Sequence, residues 1–172
     1  MMFMYNNGDI VSYGTTGVCR VIGECVQNVK GENKNYIVLK PVYQENSTVY
    51  VPVENETLTE RIKSLMTGEE INELIREMPG DEPLWADNDS ERAELFSNII
   101  SGGDRHQLAR LVRTLYIHQK KQQEIGRKLH AADEHFFRNA EKLLFEEFAA
   151  VLGIGPEDVV DFIEKKLAEE NC

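Results

Sequence analysis

The sequence predicts an α+β chain in which a small β barrel or curled sheet is followed by an all-helical domain. Three observations predict this. Between Ile10 and Val53, β-branched and aromatic residues recur in short runs broken by turn residues. Beyond about Leu58 the apolar spacing changes to the i, i+3, i+4 step of amphipathic helices. Between Met78 and Ser90, Pro, Gly, Asp and Asn concentrate as they do in linkers. The expected organisation is a β-rich domain over residues 1–60, a connecting helix and linker over 61–90, and a helical domain over 91–172.

In the β-rich part, Val11, Tyr13, Val18, Val21, Ile22, Val26 and Val29 supply strand formers, and Gly14 and Gly17 bracket a bend. Lys30 to Lys34 separates one run from Tyr36-Ile37-Val38-Leu39-Lys40, and Gln44 to Ser47 separates Val42-Tyr43 from Thr48-Val49-Tyr50-Val51. Both gaps read as hairpin turns. Pro52 ends the last strand, because proline cannot continue a central ladder. Several short strands within so few residues favour a curled sheet or barrel over an open one.

In the helical part, Thr67 and Glu70 have capping-box spacing ahead of Ile71, Leu74 and Ile75, and Pro79-Gly80 stops that helix. A second helix covers about Glu91 to Ile100 and ends at Gly102-Gly103. A third begins at Asp104, again at capping-box distance from Gln107, and carries Leu108, Leu111, Val112 and Leu115 on one face. A fourth runs from Ala131 to Leu152 on a stripe of Phe137, Ala140, Leu144, Phe148 and Val151. Gly153 and Gly155 end it, and Pro156 suits the first turn of a last helix that would bury Val159, Val160, Ile163 and Leu167.

Composition narrows the function. With 41% hydrophobic residues in 172, the chain can bury a core and need not be disordered. Its longest apolar run is far short of the ~20 residues that span a bilayer, so no membrane role is expected. Met1 to Gly8 has neither a basic cluster nor an apolar stretch of signal-peptide type, and a cytoplasmic location is expected. Cys19, Cys25 and Cys172 form no CxxC pair and are read as reduced thiols, the first two as buried strand residues.

The formal charge of −11 argues against nucleic acid until it is divided along the chain. Residues 104–143 hold nine positive groups against five negative, and every other segment is acidic. On a helix, Arg110, Arg113, Lys120 and Lys121 share about a third of a turn, opposite the Leu108/Leu111/Val112/Leu115 stripe. This is either a cationic contact face or an ordinary solvated one.

Catalytic signatures are absent. There is no GxxxxGK[ST] loop, GxSxG elbow or HExxH, and Gly153-Ile154-Gly155 is a helix stop and not a dinucleotide fingerprint. His106, His118, His130 and His135 have no cysteine at metal-ligand spacing, so neither a metal nor any other cofactor is expected. The adjacent pairs Glu69-Glu70 and Glu146-Glu147 would point in different directions on their helices and are read as solvated surface. No enzyme is expected.

An ordered set of motifs runs through the chain: Phe3, Asn7-Gly8-Asp9-Ile10-Val11-Ser12-Tyr13, Gly17-Val18, Lys30-Gly31 leading to Tyr36-Ile37-Val38-Leu39-Lys40, and Thr48-Val49-Tyr50-Val51-Pro52-Val53. Trp85, Arg92, Ser101-Gly102-Gly103-Asp104 and Leu108 through Arg113-Thr114-Leu115 follow. In this order the sequence resembles the bacterial CarD-like transcription regulators, whose N-terminal module also occurs in transcription-repair coupling factors.

The resemblance implies a Tudor-like β module that binds the β subunit of RNA polymerase, joined to a helical domain that contacts promoter DNA, with regulation of initiation as the function. The polymerase contact it implies falls on Thr48, Val49, Tyr50, Val51 and Pro52, with Gln27 and Asn28 as neighbours. An exposed strand edge suits such a contact because its unpaired backbone groups can extend a partner's sheet. Read without the resemblance, the same residues are equally ordinary barrel staves.

The resemblance also makes Trp85 a wedge at the edge of the melted DNA, where a large ring recovers contact at an unstacked step. Read alone, a lone tryptophan is more often a staple that fastens the linker to the helices. Arg110, Arg113, Lys120 and Lys121 would supply phosphate contacts, with Arg92 helping to position Trp85. Two positions depart from the family pattern. Acidic residues in Ala86 to Glu91 stand where basic ones are usual, and Tyr50 stands where some relatives have arginine. A protein-only adaptor, whose basic helix meets an acidic partner, is the competing function.

Overall fold

The computed structural model describes residues 5–170; Phe3 and Cys172 lie outside them. The chain divides into two compact units, residues 1–65 and 66–172.

The first unit is one antiparallel five-stranded sheet: β1 (Ile10–Tyr13), β2 (Gly17–Val29), β3 (Glu32–Pro41), β4 (Val49–Pro52) and β5 (Ile62–Ser64), in the order β4-β3-β2-β1-β5. A one-turn helix, α1 (Glu56–Thr59), is capped by the Asn55 side chain, which accepts from Leu58 N at 3.1 Å. The sheet bends at a bulge in β2, where the register against β3 shifts between Val21 and Gly23. A bulge adds one residue to one strand and increases its twist. The curl brings Val11, Cys19, Val21, Ile37, Leu39, Val51 and Ile62 together as the core, with Tyr5, Tyr13, Val49, Val53 and Leu58 against it. Cys19 is buried there, whereas Cys25, expected inside, is half-exposed.

Sequence spacing allows five residues for the turn between β2 and β3, but the structure uses two. Lys30 (φ 52°) and Gly31 (φ 84°) make the turn, and pairing resumes at Val29 with Glu32. Both central residues at positive φ are the signature of the hairpin turn whose twist matches its strands. The Asn28 side chain accepts from Gly31 N at 3.1 Å and donates to Asn33 Oδ1 at 3.3 Å. Gly31→Ala should therefore cost about 1 kcal/mol in urea unfolding, from the steric penalty of a Cβ at this φ. The same substitution at Gly68, which has no positive φ, serves as the reference.

The second unit contains α2 (Gly68–Glu77), α3 (Asp89–Gly102), α4 (Arg105–Glu124), α5 (Ala131–Leu152) and α6 (Val159–Glu170). The expected capping box forms in full: Glu70 N donates to Thr67 Oγ1 at 3.1 Å and Thr67 N to Glu70 Oε1 at 3.3 Å. At α4 half of it forms, with Asp104 accepting from His106 N and Gln107 N. Gly103 and Gly153 close α3 and α5 in the left-handed region. The core holds Ile71, Leu74, Phe96, Leu111, Leu115, Leu144 and Phe148, each at most 1% exposed.

Glu147 ties the start of this unit to its helices, accepting from Met66 N at 2.8 Å and from Arg105 Nε at 2.9 Å. Its neighbour Glu146 is also buried, so this pair is not the solvated surface its sequence suggests, and burial raises the pKa of the Glu146 carboxyl against a smaller opposing influence from Lys142. Because folding raises this pKa, the protonated acid favours the folded state, and that contribution is lost as pH rises through the folded-state value. Glu146→Gln should make the chain more stable at neutral pH and flatten its stability profile just above the ordinary carboxylate range. Parallel denaturations from pH 4 to 8 would show it; an unchanged slope would contradict it.

Two regions depart from the sequence reading. Residues 62–64, expected to begin a helical stretch, pair with β1 as its second neighbour. The stretch Met78 to Ser90, expected to be an interdomain linker, lies within the helical unit and is strapped to it. Arg110 Nε and Nη2 donate to Glu82 O at 3.2 and 2.9 Å, Arg113 Nη1 to Asp81 O at 3.2 Å, and Leu84 N to Thr114 Oγ1 at 3.0 Å.

Candidate functional site

In the first unit the residues of interest lie at one edge of the sheet. Among the described residues β4 pairs only with β3, through Leu39 with Val49, Val38 with Tyr50, Ile37 with Val51 and Tyr36 with Pro52. Val53 N donates to Asn35 O at 3.0 Å, which makes the Tyr36/Pro52 pair a non-hydrogen-bonded one. By alternation the backbone groups of Val49 and Val51 bind β3, and those of Tyr50 point away from the sheet. Pro52 therefore occupies a position where no ladder N–H is lost, and its carbonyl accepts from Asn55 N at 3.2 Å. The open edge is thus centred on Tyr50.

Side chains on this edge divide by face. Val51 is 0% exposed and Val49 packs on the core, so neither presents its side chain to a partner. This corrects the expectation for both: they contribute structure, and on the outer face Tyr50 stands half-exposed. Tyr36 meets Tyr50 edge to face, with ring centroids 6.5 Å apart. Thr48 is exposed just ahead of β4, and Gln27 and Asn28 are exposed on the β2–β3 arm, where they pair with Lys34 and Asn33. Tyr36 and Val38 were missed from sequence. Their alternation with the buried Ile37 and Leu39 is the signal that would have found them.

In the second unit the features converge on Trp85, which is half-buried. Its ring lies 4.2 Å from that of His118 and 6.1 Å from that of Phe96, and the Arg92 guanidinium sits 4.6 Å from its centroid. Arg92 is 5% exposed. It donates to Asp133 through Nε (2.9 Å) and Nη2 (3.0 Å), to Asp89 through Nη2 (2.8 Å), and to the carbonyl of Ala86 through Nη1 (3.1 Å). Its donors are engaged inside the fold, and its guanidinium lies against Trp85 and holds the strap, the placement of a positioning residue and not of a phosphate contact. The hydrogen bond with Asp133 is the main cause that raises its already high pKa, against the lowering effect of burial. His118 is shifted the other way, chiefly by burial, so at neutral pH it is an uncharged ring against the indole.

Of the four expected cations on α4, Lys120 and Lys121 are exposed, and Lys120 lies 4.7 Å over the Tyr116 ring. Arg110 and Arg113 are half-buried and already donate to the strap carbonyls. Arg113 and Lys121 join Pro83, Trp85, Thr114, Ile117 and His118 around a cleft of about 130 Å³. The acidic stretch after Trp85 has a structural occupation. Asn88 caps α3 by accepting from Glu91 N, Asp89 and Glu91 lie in its first turn, and Asp89 pairs with Arg92. Carboxylates there complement the positive end of the helix dipole.

Residues 5–64 match the CarD-like/TRCF RID domain family, and residues 70–164 match the CarD C-terminal domain family. The chain belongs to the CarD-like family. Both halves of the CarD-like arrangement are present in order, and the boundary between the matches falls beside that between the compact units. As a CarD-like protein the chain is a transcription-related, RNA polymerase-interacting protein. Among the described residues no helix is long and apolar enough to cross a membrane.

Proposed function

We propose that this CarD-like chain binds the polymerase β subunit through the open edge of β4 and, held there, touches promoter DNA through Trp85 and the basic face of α4, tuning the lifetime of the open complex without a catalytic step. The observation that carries the first half is the outward-facing backbone of Tyr50 on a strand with one neighbour. The second half is supported by the half-exposed indole beside Arg113 and Lys121. A tether to polymerase raises the effective concentration at the promoter, so a small cationic patch is enough in a chain of charge −11.

The competing reading, a protein-only adaptor, is favoured by the packing of Trp85 on Phe96 and His118 and by the internal use of Arg110 and Arg113. Open-complex lifetime measured across a salt series separates the two. Lys120→Gln with Lys121→Gln should lower the log-log salt slope by ~0.9 for each phosphate that the variant no longer neutralises. Trp85→Ala should shorten the lifetime without releasing the protein from polymerase. Unchanged slopes and lifetimes with polymerase still bound would favour the adaptor.

A further inference from the structure

The helical unit holds a second cavity, of about 310 Å³, between α4, α5 and α6 and partly open to solvent. It explains a mismatch between pattern and packing. Val159, Val160, Ile163 and Leu167 have the spacing of a buried stripe, yet only Val159 is fully buried. Val160, Ile163 and Leu167 instead face the cavity, opposite Tyr116, Phe137 and Phe145. Apolar walls around empty space forfeit dispersion energy, at ~24 cal/mol per Å³ for cavities in protein cores. The volume lies at the lower end of the ~300–1,000 Å³ usual for small-molecule sites.

The polar groups on the wall are few and unbalanced in charge. Arg113 donates to Asp81 O, and Glu164 lies close enough to Lys120 to influence its ionisation. Glu141 is half-buried on the same wall, and burial raises the pKa of its carboxyl, as for an acid drawn partly out of water. The wall sets two carboxylates, Glu141 and Glu164, against one cation, Arg113, and an apolar chamber with that excess of negative charge is complementary to an organic cation with a hydrocarbon body.

We propose that this cavity is a binding site for a small cationic amphiphile, its apolar body between Phe137, Phe145 and Ile163 and its ammonium head on Glu141. No such ligand follows from the polymerase and DNA reading, and the site stands or falls independently of it. Arg113 and Ile117 wall both this cavity and the cleft beside Trp85.

The test is titration of the full chain, isotopically labelled for methyl and amide NMR, with n-octylammonium below its micellisation concentration; 1-octanol and n-octyl sulfate serve as neutral and anionic matches. The expected result is saturable binding whose shifts centre on the cavity walls, with octylammonium about tenfold tighter than either match. Glu141→Gln should remove that preference while leaving octanol affinity unchanged. Val160→Phe, which fills the chamber, should abolish binding of all three; if it fails to fold, Ile163→Met with Glu141→Gln keeps the charge comparison available. Equal affinity for the three probes, or shifts centred elsewhere, would overturn the proposal. So would self-association through this face that Val160→Phe removes, because the occupant would then be a second copy.

Discussion

Arg92→Ala should destabilise the helical unit by ~3–5 kcal/mol, the cost of leaving one partner of a buried ion pair alone. Asp133, 3% exposed, would lose the guanidinium it pairs with, and the carbonyl of Ala86 would lose its donor. Urea unfolding followed by circular dichroism gives the number, and Asp133→Ala should give a similar one. The double replacement Arg92→Met with Asp133→Leu should recover most of the loss, since an apolar pair of similar volume is commonly neutral or better. Its value lies in the separation it makes. The double variant regains the fold but lacks the cation over Trp85, so any remaining defect in open-complex lifetime belongs to the placement of the indole. A loss below about 1 kcal/mol for Arg92→Ala, the range of exposed pairs, would show that the pair is solvated and that Asp133 does not depend on it.

Tyr50→Pro should weaken association with polymerase by about tenfold or more while leaving the β unit folded. Proline removes an N–H and fixes φ, which an edge strand tolerates at a position facing away from its ladder. Pro52 already shows this two residues on. The expected loss combines a backbone hydrogen bond, worth ~0.5–1.5 kcal/mol, with the clash of a ring against the incoming strand. Tyr50→Ala, which keeps the N–H, should fall well short of it. Val51→Pro makes the opposite case, because its N–H faces β3 and the strand itself should fail. Co-elution of Tyr50→Pro with polymerase at the parent level would show that the edge is not where the two proteins meet.

Local signals in the sequence carried most of the helical unit. Thr67 with Glu70, Asp104 with Gln107 and the glycines at 103 and 153 act within a turn of their own position, and each sits where its spacing places it. What was hidden depends on partners far along the chain. The strand Ile62–Ser64 is too short to show alternation and exists because β1 offers it a ladder. The Arg92–Asp133 pair joins residues 41 positions apart, and no local pattern announces it. The strap followed the same logic: Pro, Gly and Asp between Met78 and Ser90 report an irregular backbone, which is correct, but not which carbonyls the arginines of α4 will hold. Trp85 kept both of its readings, since it is packed on one side and open on the other.

The ion pair under Trp85 has a consequence for timing. To swing away, the indole would have to leave a guanidinium fixed by two carboxylates and a carbonyl, so its orientation is settled when the helices fold. The entropy of ordering that side chain is therefore spent before any encounter. Whatever surface Trp85 meets, it arrives as a rigid projection, and the lifetime of that encounter depends on how well the surface fits it and not on how often the side chain finds its pose.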